Sequence, residues 1–172
     1  IPSSQRAHVV RGRGWMIRTT CSVIVLAPRT TRILRTFCTM AWARASQSRA
    51  AAPLDRLRTR AEQSNFTETS RYDDVQAFLA TVDQASNLVH LTSFGYSFEG
   101  RTLPLAVVGR VADARPATVK AAGTLRVYVQ ANIHAGEVEG KEAMLALVRD
   151  IAKGQYADWM GSMVLLVNPV YN

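Results

Sequence analysis

The sequence predicts an α/β fold, with a mixed β-sheet and flanking helices, and three observations carry that reading. Two segments place apolar residues at i, i+3, i+4 and i+7: Val75, Phe78, Leu79 and Val82 in one, Met144, Leu147, Val148 and Ile151 in the other. Residues 125–167 run strand, helix, strand, at the spacing of a βαβ unit. The run from Met163 to Val167 is almost continuously apolar, as expected of a strand covered on both faces. Composition agrees: 48% hydrophobic and 20% charged residues belong to a globular chain rather than a disordered one. Two cysteines exclude a disulfide-stapled miniprotein and a multi-cysteine zinc module. No apolar run approaches the ~18–20 residues of a membrane-spanning helix.

The elements follow in order. Pro53 to Gln63 is charged and suits a short surface helix. Ser70, with Asp73 three residues on, reads as the N-cap of the helix carrying Val75 to Val82. Leu88 to Phe94 alternates and holds β-branched residues, which predicts a strand. Gly95 to Gly100 is a turn, and Arg101 to Val108 returns as the second strand of a hairpin. Pro104 has no N–H to give a ladder, so this strand is expected at an edge or irregular early on. Asp113 to Gly123 is a connection of small residues. Leu125 to Ile133 reads as a buried strand, Gly140 to Lys153 as a helix, and Met163 to Val167 as the closing strand. The chain ends at Asn172, just after that strand, where an open α/β sheet would meet its ligand, so a truncated domain is expected.

Charge divides the chain. Residues 1–50 hold nine arginines, no lysine and no acid, whereas residues 51–172 hold twelve basic and thirteen acidic side chains. The net charge of +8 therefore belongs to the first segment alone. Residue 1 is Ile, with Met16 and Met40 as later candidate starts. Three readings of residues 1–50 compete. A basic arm neutralises phosphates and binds nucleic acid. A targeting segment would use the apolar Val23 to Ala27 and the small-residue site Ala43-Arg44-Ala45, but five apolar residues followed by arginines make a poor signal. Disordered or wrongly translated upstream sequence is the plainest reading, and nucleic acid the least favoured partner. Cys21 and Cys38 lie in this segment and pair only if it folds. The expected divisions are residues 1–50, basic and disordered or targeting; 51–64, a linker or short helix; and 65–172, the folded domain.

The chemistry concentrates in His134-Ala135-Gly136-Glu137, where the strand 125–133 ends. Imidazole nitrogen and carboxylate oxygen are both good zinc donors. Across a tight turn they converge on one ion, and Gly136 allows the bend. On spacing alone the simpler alternative is favoured: a Glu in the first helical turn beside an incidental His.

Four segments change that balance. Tyr72 to Leu79, Leu91 to Pro104 with its Gly95-Tyr96-Ser97-Phe98-Glu99-Gly100-Arg101 turn, Asn132 to Glu137, and Asn168 to Asn172 occur in this order. Together they resemble the zinc carboxypeptidase family, the metallocarboxypeptidases, from Asn65 to Asn172. The resemblance implies a metallocarboxypeptidase-like fold, Zn²⁺ as cofactor, and His134 and Glu137 as the first two metal ligands. It implies a peptide or protein substrate with a free carboxyl terminus, and a secreted or periplasmic location. A third ligand, the residues that grip the substrate carboxylate and the general base are expected beyond Asn172. Of the other histidines, His8 lies in the basic arm and His90 within a strand, so neither matches the missing ligand. Family members of the digestive type carry Arg where this chain has Gly136, which leaves the substrate side-chain preference open.

Glu139 and Glu142 read as favouring a helix N-terminus, with Glu139 a minor alternative ligand. Asn65-Phe66-Thr67 fits a glycosylation sequon, and Tyr156 and Trp159 read as packing residues. The function expected is zinc-dependent carboxypeptidase, as an incomplete fragment. The alternatives are a zinc deacylase or amidase of related fold acting on N-acyl amino acids, and a non-enzymatic binding protein with a basic arm.

Overall fold

A computed structural model of the chain describes residues 54–172 and the backbone of Ser22–Leu26. In chain order the elements are β1 (Ser22–Leu26), α1 (Arg60–Gln63), α2 (Tyr72–Ala85), β2 (Val89–Tyr96), β3 (Thr102–Val108), α3 (Pro116–Ala121), β4 (Leu125–Gln130), α4 (Val138–Ala152), α5 (Trp159–Ser162) and β5 (Met163–Asn168). The five strands form one mixed sheet in the order β1-β4-β5-β3-β2. β4 and β5 are parallel, joined by α4 as a βαβ unit, and every other neighbouring pair is antiparallel. The arginine-rich segment contributes β1, whose Ser22–Leu26 pairs with Gln130–Arg126 of β4. His8, Cys21 and Cys38 lie outside the described residues.

Alternation along the strands sorts side chains to two faces. Ala106, Val108, Leu165 and Val167 pack with Val75, Phe78, Leu79 and Val82 of α2 and with Met144, Leu145, Val148 and Ile151 of α4. That layer is the main core. Val107 and Val164 point the other way and meet Val119 of α3. β5 is therefore buried on both faces, as its apolar run predicts, whereas each residue of β4 is only half-buried.

Several boundaries differ from the sequence reading, each for a local reason. The cap of α2 is Arg71, one residue later than Ser70, because Asp74 accepts from the Arg71 N–H at 2.8 Å. Ser70 is buried and turned to other work: its N–H and hydroxyl both donate to Glu142. β3 is an interior strand, but β5 pairs only with Ala106 to Val108. Pro104 thus faces a single neighbour, opposite the register shift between Ser93 and Gly95. The connection before β4 holds the six-residue helix α3, opened by Pro116 at its first position. β4 stops at Gln130 because Asn132 adopts a left-handed φ of 52°.

Residues 54–64 are packed onto the domain. Leu54 is fully buried in the main core, and Thr59 caps α1 by accepting from Glu62 N while Glu62 accepts from Thr59 N. Leu54→Ala is expected to cost about 2–4 kcal/mol of unfolding free energy. A urea midpoint unchanged by that substitution would mean that Leu54 adds nothing to the stability of the core.

Candidate metal centre

The parallel pair β4–β5 directs the chain out of the sheet at the carboxyl edge of β4. Ala131 makes the last rung there: its N–H donates to Asn168 O at 3.0 Å, and its carbonyl accepts from Tyr171 N at 3.1 Å. Asn132 then turns the backbone into the left-handed region, which Asn tolerates better than most residues. The turn His134 to Glu137 is closed by Glu137 N–H donating to His134 O at 3.0 Å. Glu137 stands as the N-cap of α4.

This path brings the two sequence-predicted site residues together. His134 Nδ1 lies 2.9 Å from Glu137 Oε1, and His134 N–H donates to Glu137 Oε2 at 3.4 Å. The imidazole is 79% exposed and the carboxylate 32%, so both donors open to solvent at the sheet edge. Zinc bonds of 2.0–2.2 Å at a tetrahedral angle hold two donors about 3.4 Å apart. The observed gap of 2.9 Å is thus roughly half an ångström short of that span, within reach of a small side-chain rotation. Nitrogen and oxygen donors of this kind suit zinc chemically. Among the described residues no group of three or more His, Cys, Asp or Glu side chains is gathered as a complete metal site.

The other candidates sit elsewhere. Glu142 accepts from Thr69 Oγ1, Ser70 N and Ser70 Oγ, fastening α4 to the loop before α2 rather than serving the turn. Glu139 is in the first turn of α4, where its charge suits the helix N-terminus. His90, on β2, bonds through Nε2 with Val111 O at 2.9 Å, a structural contact. Tyr156 and Trp159 stack on each other with centroids 4.6 Å apart, both partly exposed. The sequon residues Asn65, Phe66 and Thr67 are exposed in a turn where Asn65 and Phe66 have positive φ.

Residues 75–172 match the family model described as zinc carboxypeptidase, peptidase family M14. That stretch is more than half of the chain. The chain belongs to the zinc carboxypeptidase family. Solved structures agree in fold. Carboxypeptidase A from Helicoverpa armigera superposes with a TM-score of 0.54 at 22% identity, over 74% of this chain and 30% of that one. Thrombin activatable fibrinolysis inhibitor (TAFI) gives 0.52 at 14% identity, over 73% and 30%. This zinc carboxypeptidase-family chain thus spans about 30% of the length of each. Comparison with curated proteins gives no match.

Three features of this family member escaped the sequence reading. Asn132 is one: a buried residue in the left-handed region just before the donor turn. Asn168 is fully buried, and with its amide nitrogen toward the carbonyls it donates to Pro104 O and Val170 O while its oxygen accepts from Tyr128 OH. It therefore ties three strands together at the edge that bears the turn. The third is an aromatic rim. Because β3 runs antiparallel to β5, the β2–β3 hairpin tip lies at this same edge, with Phe94, Tyr96, Phe98 and Tyr171 exposed and Phe94 stacked on Tyr171. Asn132 and Asn168 open two of the quoted segments, yet the role of one lies in its backbone conformation and that of the other in contacts with distant strands. Asn132→Gly is expected to leave stability nearly unchanged, whereas Asn132→Ala costs about 1–2 kcal/mol through its positive φ. Equal denaturant midpoints for the two variants would remove the backbone explanation.

Proposed function

We propose that this chain carries two metal ligands, His134 and Glu137, of a zinc-dependent carboxypeptidase that releases carboxyl-terminal residues from peptides or proteins. The observation that carries the reading is the pair itself: an imidazole nitrogen and a carboxylate oxygen 2.9 Å apart at the carboxyl edge of a parallel strand, within the stretch that matches the family. Carboxyl edges of such strands are where α/β sheets take their ligands.

Zinc bound there supplies Lewis-acid polarisation of the scissile carbonyl and a water of lowered pKa. The chain's own residues do the holding. His134 presents Nδ1 and Glu137 a carboxylate oxygen, the Asn132 bend aims the turn, and the Ala131 rung fixes its root to β5. The exposed aromatic rim on the same edge offers apolar surface to a substrate side chain.

The test is substrate selectivity in a zinc-loaded, active form of the protein. Chelator-sensitive release of the last residue from a peptide with a free carboxyl terminus is expected, with no release from the same peptide amidated at that end. Preferential hydrolysis of N-acyl amino acids would instead identify a deacylase and overturn the exopeptidase reading.

A further inference from the structure

We infer that Gly140 is the positioning residue of the donor pair: the absence of a side chain there sets how far Glu137 stands from His134. This rests on the proposed metal reading but concerns a different residue and a different contact.

The first turn of α4 passes directly over the end of β4. A Cβ on Gly140 would lie 2.9 Å from the Cβ of Ala131 and 4.0 Å from its Cα. Carbon atoms do not approach that closely, so one partner has to move. Ala131 is held on both sides, by its N–H to Asn168 O and by its carbonyl to Tyr171 N. Its Cβ has nowhere to retreat without breaking the rung. The helix is the partner that yields, and Glu137 is its N-cap, three residues before Gly140.

His134 belongs to the other body. It sits three residues after Ala131, at the β4 end of the turn, and only the turn's own closing bonds to Glu137 resist the separation. Pushing α4 outward therefore separates Glu137 from His134. Restoring ordinary contact from 2.9 Å requires a shift of about half an ångström or more, comparable to the adjustment that separates the observed donor gap from the zinc-spanning one. The helix cannot absorb the shift by tilting freely. Lys141 Nζ donates to Ser70 O, and Glu142 accepts from Thr69 and Ser70, so the next two residues are tied to the loop before α2. The first turn of α4 is thus located from two sides, with Gly140 as the contact that faces the donors' own strand.

The experiment moves one methyl group across the contact. The ring nitrogens of His134 are followed by NMR in the 172-residue chain, its signals identified with His134→Gln, without metal and during titration with Zn²⁺. Gly140→Ala is expected to shift the metal-free His134 Nδ1 signal and to change Zn²⁺ affinity about tenfold or more, because the donor gap moves by as much as separates it from the zinc-spanning one. Ala131→Gly combined with Gly140→Ala returns the methyl's space and is expected to restore both readouts. A stability effect of Gly140 alone would not be reversed at the His134 ring in this way. Unchanged His134 signals and Zn²⁺ affinity in Gly140→Ala would overturn the inference. So would a double variant that does not recover, including one that stays unfolded where Gly140→Ala unfolds. Absence of any Zn²⁺ response at His134 in the unsubstituted chain would reject the metal reading, and the metal-free His134 signals would still decide the role of Gly140.

Discussion

Glu62→Ala is expected to destabilise the domain by about 2–4 kcal/mol, more than a surface ion pair would, because it takes one of two carboxylate partners from a buried guanidinium. Arg149 has a side chain only 9% exposed, on the inner side of α4. Its Nη1 donates to Glu62 at 2.6 Å and to Leu57 O at 3.2 Å, and its Nε to Asp150 at 3.0 Å. Removing Glu62 leaves Asp150 as the remaining carboxylate partner of that cation. Substituting both partners, as in Glu62→Gln with Arg149→Met, is expected to cost less than Glu62→Ala alone, since no charge is then left buried. The pair also predicts a pH dependence. Burial would raise the Glu62 pKa, but hydrogen bonds from Arg149 and Thr59 N–H, with the charges of Arg149 and Arg58, outweigh it and hold the carboxyl below its ordinary 4.5. A depressed folded-state value means that the contribution is full above the unfolded pKa and is lost as pH falls through the folded one. The Glu62→Gln variant should therefore lose less stability than the unsubstituted chain on acidification below pH 4.5. Parallel acid titrations of the two by circular dichroism would contradict this.

The second large effect is expected at the donor turn. His134→Ala and Glu137→Gln should each reduce zinc-dependent peptide hydrolysis about 10³-fold or more in an active form of the protein. Lewis-acid stabilisation at zinc is worth several kcal/mol, and each 1.36 kcal/mol is a factor of ten in rate. Glu139→Gln is the matched control: an acid two residues from Glu137 that lies in the helix's first turn and takes no part in the donor pair. Activity that survives both ligand substitutions, or falls equally with Glu139→Gln, would place the chemistry elsewhere.

The parts of this fold that were legible in the sequence are those with a period. α2, α4 and β5 announce themselves because an amphipathic stripe or an apolar run reflects one long-lived environment along the whole element. α3 left no such trace: six residues bury only Val119, too few to show a period. The pairing of Ser22–Leu26 with β4 was equally hidden. Its short apolar run suits a targeting segment as well as an edge strand, and only the partner distinguishes them. Proline at 104 was informative, but it spoke of its immediate neighbours rather than of the whole strand. At the proposed site, His134 and Glu137 stood out through the four-segment family resemblance, since their spacing alone favoured an incidental pair. Asn132, Asn168, Gly140 and Glu142 did not. Asn132 acts through a local backbone turn and Gly140 through a missing atom, which leave no pattern. Asn168 and Glu142 act through partners distant in sequence, Glu142 through backbone and hydroxyl donors more than 70 positions away.

The fold itself belongs to the zinc carboxypeptidase family, and among the described residues no helix is long and apolar enough to cross a membrane. His134 and Glu137 are proposed to share one zinc ion. Anomalous diffraction at the zinc edge, from crystals grown with Zn²⁺, reads this directly. The account predicts a peak about 2.0–2.2 Å from both His134 Nδ1 and a Glu137 carboxylate oxygen. A peak coordinated by other side chains, or none at the turn in crystals saturated with Zn²⁺, would contradict it.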